Sequence, residues 1–237
     1  MFSMSPFRPS IPTSSWLASL RVAASAVPSI APVTGGVTWS EVSALFGLSI
    51  FDIEFTPDGT AFIGTIDSVW VSNDGGVSWT ERNLGIGLND QVFGVTIDPS
   101  NPSILWVGVG DASGSQPINI MRSTDGGFTW TDHTPPLGQP MSGRAIAVDP
   151  NDSNTVIAVF GGDFGGGQVW VTTDGGDSWT DRSAGLPGNP LNAAVYNGTR
   201  LLVGGGLLFG SAVRRIVPIE QPWVPPGRRC ITGRGRS

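Results

Sequence analysis

Three aspartates stand in turns that each follow an apolar run, Asp67 in "TIDS" and, in two glycine-rich turns, Asp111 in "GVGDASGSQP" and Asp163 in "FGGDFGGG". Carboxylates held in open loops accept hydrogen bonds from sugar hydroxyls. A pair of them about 5–9.5 Å apart can divide the acid and base work of glycoside hydrolysis. Asp111 and Asp163 are the candidate catalytic pair, and Asp67 joins them as a candidate binding residue. The competing reading is that each Asp only shapes its turn, since Asp caps backbone N–H groups two residues on.

The elements that must position these residues are written in a repeat. "STDGGFTW" (Ser123 to Trp130) returns as "SNDGGVSW" (Ser72 to Trp79) and "TTDGGDSW" (Thr172 to Trp179). A worn copy, "VTGGVTW", runs from Val33 to Trp39 with Thr34 in place of Asp. A period in the range of about 40–50 residues signals a propeller or solenoid. Within each period four short runs alternate apolar and polar residues, and turn signals such as "TPDGT" and "DPSNPS" separate them. Four antiparallel strands are the unit of a propeller blade. The expected fold is an all-β propeller of four-stranded blades: about 46–83, 91–133 and 143–183, with a partial blade at 191–210. The Val37 to Glu41 strand, with candidate strands Asn192 to Val195 and Arg200 to Val203, would close a four-bladed ring. An open or truncated arc is the alternative, favoured by the loss of the motif after Val203. In domain terms, 1–35 is an N-terminal extension, 36–210 the propeller and 211–237 a basic tail without apolar period.

In the repeated motif every residue type has a structural task. Asp accepts backbone N–H groups, the glycines permit positive φ, and Trp folds its ring back between strands. A catalytic residue is rarely needed three times, so Asp74, Asp125 and Asp174, with Trp79, Trp130 and Trp179, are assigned to structure. The motif resembles the Asp-box (BNR) repeat over roughly residues 33–183. Sialidases, xyloglucan-hydrolysing glycoside hydrolases, sortilin-type receptors and photosystem II assembly factors carry such repeats. "IDPSNPSILWVGVGD" and "VDPNDSNTVIAVF" look most like the xyloglucanase and sortilin-like branches. The resemblance implies a propeller; a fold hosts many functions, so it does not imply one activity. It also implies that acidic catalytic residues fall in Gly-rich turns after strand two, where Asp111 and Asp163 lie. Xyloglucanases place their cleft between two propellers, and this chain has at most one. A sialidase would need a nucleophilic Tyr and an arginine cluster, but the chain's one tyrosine, Tyr196, lies in the incomplete blade.

Strand parity puts the Asp-box turns on one face and the turns bearing Asp67, Asp111 and Asp163 on the other. On the innermost strand of the first blade, alignment on Pro57, Pro99 and Pro150 sets Asp52 against Gly94 and Ala145, and Glu54 against Thr96 and Ala147. Asp52 and Glu54 share a strand face and are candidate binding residues for a ligand or cation in a central channel. Arg144, aligned with Phe51 and Phe93, is their candidate ion-pair partner or an anion contact.

Composition excludes other classes. Glycine (34) and proline (19) are abundant and charged residues are only 14%. The acids crowd into 36–210, where five arginines alone oppose them. That leaves no positive groove for nucleic acid. No apolar run is long enough to span a membrane. One cysteine, Cys230, forbids an intrachain disulfide. "GGDFGGG" offers too few oxygens for calcium, and no metal or cofactor is expected. The N-terminus carries a small-residue cleavage candidate at Ala24-Ser25-Ala26, interrupted upstream by Arg21, and the protein is read as secreted or extracytoplasmic. The leading functional reading is a non-catalytic propeller that binds polysaccharide or protein on the face opposite the Asp boxes. A xyloglucanase-like glycoside hydrolase fragment is the alternative. A truncated or frame-shifted product, suggested by the arginine-rich tail, is the third.

Overall fold

The computed structural model describes residues 30–32, 39–42, 45–87, 90–111, 119–138, 142–161, 166–186, 191–205 and 217–218. Strands β1 (Ile30–Pro32) and β2 (Trp39–Glu41) pair antiparallel with each other. Three four-stranded antiparallel sheets follow. Blade one holds β3 (Asp52–Phe55), β4 (Ala61–Gly64), β5 (Ser68–Ser72) and β6 (Thr80–Asn83). Blade two holds β7 (Asp90–Ile97), β8 (Leu105–Asp111), β9 (Asn119–Ser123) and β10 (Thr131–Asp132). Blade three holds β11 (Ser142–Asp149), β12 (Asp152–Gly161), β13 (Gln168–Thr172) and β14 (Thr180–Asp181). Each blade is a simple meander in chain order. A three-stranded sheet ends the series: β15 (Leu191–Tyr196), β16 (Leu201–Gly205) and β17 (Val217–Pro218).

The innermost strands β3, β7, β11 and β15 lie side by side in that order, which is the arrangement of propeller blades around an axis. The pairing expected to close a ring is not the one formed. Among the described residues β2 pairs with β1, and β16 takes its second neighbour from β17, two residues within the stretch assigned to the tail. The blades form an arc.

The second and third strands of the blades are largely apolar because the sheets stack face to face. All four residues of β4 are buried. Phe62, Val69 and Val71 of blade one pack against Leu105, Val107 and Met121 of blade two. Trp106 and Ile120 of blade two pack against Ile146, Phe160 and Trp170 of blade three. Ile157, Val159 and Val169 then meet Leu191 and Val203 of the last sheet. The inner strands also lend side chains to each other's free backbone edge. Val95 N–H donates to Asp52 Oδ2 at 2.9 Å, and Thr96 Oγ1 donates to Ile146 O at 2.9 Å.

Candidate functional site

The three Asp turns are near-superimposable networks. In blade two, Thr129 N–H donates to Asp125 Oδ1 (2.9 Å) and Thr129 Oγ1 to Asp125 Oδ2 (2.6 Å). Ser123 Oγ donates to Asp125 Oδ1 and accepts from Gly127 N–H, both at 2.8 Å. Asp74 and Asp174 receive the matching bonds from Ser72 and Ser78, and from Thr172 and Ser178. Hydroxyl donors first, then backbone N–H groups, hold all three carboxyls down at about 2. The Asp carboxylates are exposed, whereas the Ser/Thr that begins each motif is buried: Ser72, Ser123 and Thr172 are each 1% exposed. That hydroxyl was not singled out in the sequence; its invariance in all three copies is the signal that would have found it.

These turns also lock blade to blade. Trp179 Nε1 donates to His133 O of blade two (2.8 Å), and its ring meets Trp106 edge-on at 6.3 Å. A Cβ on Gly176 would fall 2.8 Å from Trp106, and its φ is +98°, so only glycine serves there. Between blades one and two the Arg82 guanidinium lies 4.0 Å over the Phe128 ring instead. The indoles differ in their bonds: Trp79 Nε1 donates to Gly76 O at 3.0 Å, while Trp130 Nε1 is buried and has no acceptor among the described residues.

The opposite face is built from different residues in each blade. Asp67 adopts φ 59°, the left-handed conformation that Asp tolerates better than most side chains. Its N–H donates to Asp90 O at 2.8 Å. Asp90 in turn sits across the ladder from Asp111. Asp67 and Asp111 are thus both backbone neighbours of Asp90 where the first two blades touch. Asp90 was overlooked because "LND" reads only as an inter-blade turn; its Oδ2 accepts from Gly87 N–H at 2.9 Å. Asp111 is placed as the last residue of β8, and Asp163 lies outside the described residues.

A second feature of this face is a row of β-bulges, devices that re-aim side chains and gather near sites. The register of β7 shifts between Val92 and Gly94, that of β11 between Gly143 and Ala145, and that of β15 between Leu191 and Ala193. The bulged positions are therefore Phe93, Arg144 and Asn192. Phe51 is their counterpart just before β3, and its ring meets Phe93 edge-on at 5.7 Å. Both rings are half-buried. The alignment of Phe51, Phe93 and Arg144 was visible in the sequence, but the bulges were not.

Asp52 and Glu54 do not stand apart as a free pair. Asp52 Oδ1 accepts from Ile53 N–H and Oδ2 from Val95 N–H, so the carboxylate ties blade one to blade two. Glu54 lies opposite Phe62 in the ladder, hence on the face turned toward blade two. By surface area Glu54 is exposed, yet the protein packed around it strips enough water to push its pKa up to about 7, the Asp52 charge adding to this. Among the described residues no cluster of His, Cys, Asp and Glu has metal-binding geometry.

No protein-family model matches the chain. A xyloglucanase from Paenibacillus sp is 33% identical over 120 residues, 47% of this chain and 11% of that protein. A xyloglucanase from Hypocrea jecorina (strain QM6a) is 34% identical over 140 residues, 51% of this chain and 16% of that protein. The photosystem II assembly lipoprotein Ycf48 of Synechococcus sp. (strain CC9902) is 26% identical over 152 residues, 62% of this chain and 41% of that protein. The chain spans well under half the length of these relatives. Among solved structures, the Niastella koreensis GH74 enzyme superposes with a TM-score of 0.59 at 21% identity, over 73% of this chain and 31% of that one. The GH74 xyloglucanase of Xanthomonas campestris gives 0.55 at 17% identity, over 77% and 34%. At such identity the likeness shows the fold: the chain is an all-β, partial propeller of four-stranded antiparallel blades.

Proposed function

We propose that this chain is an Asp-box propeller arc that binds carbohydrate, without cleaving it, on the face opposite its Asp turns. The observation that carries the reading is the division of polar groups. The Asp74, Asp125 and Asp174 carboxylates are saturated by their own turns. The other face carries Asp67, Asp90 and Asp111 as backbone neighbours, and on the adjoining inner strands the half-buried rings of Phe51 and Phe93 pack edge-on. Carboxylates to bind hydroxyls and aromatic rings to pack on sugar faces are what a saccharide site needs. The xyloglucanase relatives favour a polysaccharide over a protein ligand. They also favour a location outside the cytoplasm. Calorimetric titration with xyloglucan oligosaccharides tests the reading. Binding that Phe93→Ala and Asp111→Asn each weaken supports it. Steady release of reducing ends by the wild-type chain overturns it, as does binding of a peptide panel in place of sugar.

One observation favours a second reading, a xyloglucanase-like hydrolase fragment with Asp111 and Asp163 as acid and base: two xyloglucanases are a third identical to this chain over about half of it. Reducing-end release from xyloglucan by wild type and by Asp111→Asn decides it. Equal rates remove Asp111 from any mechanism.

A further inference from the structure

The junction between blades two and three departs from that between blades one and two at two positions of the repeat. Counting from Trp79 and Trp130, His133 stands in the place of Arg82. Counting from Asp125 and Asp174, Asp177 stands in the place of Phe128. The structure keeps the equivalence: the Arg82 stem comes within 3.5 Å of where a Cβ on Gly127 would be, and the His133 ring within 2.8 Å of one on Gly176. Beyond Gly127 the Arg82 guanidinium reaches over Phe128, 4.0 Å from the ring centroid. An imidazole ends sooner, and Asp177 offers it no ring to cover. Beside Gly176 a cavity is left open, lined by Asp132 and His133 of blade two and by Asp177 and Trp179 of blade three.

The side chains on the cavity wall have already spent their donors. Thr134 Oγ1 donates to Asp132, Ser178 Oγ to Asp174, and Trp179 Nε1 to His133 O. Thr131 Oγ1 donates to Arg122 O, so the bond it shares with His133 Nε2 is given by the imidazole. Acceptors remain: among the described residues the Asp177 carboxylate receives no hydrogen bond, and it is exposed. No arginine lines the cavity, since the Arg122 guanidinium lies over the Trp106 ring instead. Two carboxylates, an indole and no side-chain donor to spare suit a ligand that is positive and only donates. A sugar hydroxyl, which must also accept, is served less well. We propose that this cavity binds an arginine side chain of a partner protein. A guanidinium is planar, donates in a fork that matches a carboxylate, and stacks on aromatic faces. Seated against Asp177 and Trp179, it would bring from outside the group that Arg82 supplies from within at the preceding junction. The site lies beside an Asp-box turn, at positions where the copies differ, and shares no residue with the sugar-binding face.

Titration of the capped tripeptide acetyl-Gly-Arg-Gly-amide into isotope-labelled protein tests this, read by magnetic resonance at the indole N–H signal of Trp179, which Trp179→Phe identifies. The arginine peptide should shift that signal saturably. Its citrulline counterpart, which keeps the shape and loses the charge, should not. Asp177→Asn should weaken binding about tenfold, as the loss of a charge-assisted hydrogen bond does. The double variant His133→Arg/Asp177→Phe installs the pair of the preceding junction. It should abolish binding with a urea midpoint no lower than that of wild type, which separates a filled cavity from a damaged fold. The absence of a saturable shift, equal shifts from the citrulline peptide, full affinity in Asp177→Asn or in the double variant, or movement of the same signal by xyloglucan oligosaccharides would each overturn the proposal.

Discussion

The two faces of the arc are made by opposite strategies. On one, the chain writes a single turn three times, and the three copies form nearly the same hydrogen bonds, down to a buried Ser or Thr beneath an exposed Asp. On the other, Asp67 takes a left-handed backbone, Asp90 and Asp111 face each other across a ladder, and the bulges carry Phe93, Arg144 and Asn192. Repetition marks what every blade needs in order to pack. Variation on a shared frame marks where blades differ, and surface loops are where binding residues are usually placed.

The comparison is broken most severely by removing what the repeated turns rest on. Trp106 is fully buried and contacts both His133 and Trp179. Trp106→Ala should cost about 3–5 kcal/mol, read from urea melts, and a native-like midpoint would contradict the packing described. Ser123→Ala leaves the Gly127 N–H without its acceptor in a buried turn and should cost about 1–3 kcal/mol. Neither change should alter affinity per folded molecule.

Acid separates the faces by charge. The Asp74, Asp125 and Asp174 carboxyls sit at about 2 in the folded chain, below the ordinary 3.8. A depressed carboxyl lends stability above its unfolded value and loses it as pH falls through the folded one. Melts at pH 5, 3 and 2 should show stability dropping between about pH 4 and 2, and less steeply in Asp125→Asn. Glu54 has the reverse sign. Raised from 4.5 to about 7, it favours the fold most below 4.5, and that contribution fades as pH rises through 7. Glu54→Gln should flatten the stability profile between those limits; an unchanged slope would mean that Glu54 is not desolvated at the blade contact.

How much of this could be read from the chain depended on repetition. The blades near 46–83, 91–133 and 143–183 were legible because Trp79, Trp130 and Trp179 and the turn signals recur in step with four apolar runs each. The partial blade was legible from two apolar runs but not its third strand, since "VP" at Val217–Pro218 has no pattern of its own. The sequence left a ring closed by the N-terminal strand open beside the arc that the loss of the motif after Val203 favoured, because strand composition does not reveal its partner; β2 pairs with β1. Asp52 and Glu54 were legible as a same-face pair but not as an inter-blade contact, because which neighbour that face meets is set by how the sheets stack. The Phe51–Phe93 pair needed the bulges, which are a matter of register.

The smallest effects on the fold belong to the variable face. Asn tolerates the left-handed backbone nearly as well as Asp, so Asp67→Asn should leave stability within about 0.5 kcal/mol of wild type. If the site lies there, the same change should weaken sugar binding.

The central claim is that the repeated face holds the fold and the variable face holds the ligand. It is tested most directly by a paired calorimetric titration with xyloglucan oligosaccharides and urea melt on Asp111→Asn and Ser123→Ala. The account predicts that Asp111→Asn loses about tenfold or more in affinity, the worth of a charge-assisted hydrogen bond, with an unchanged melt. It predicts that Ser123→Ala melts early and binds normally. The inverse pattern, a destabilised Asp111→Asn that binds and a stable Ser123→Ala that does not, would contradict it.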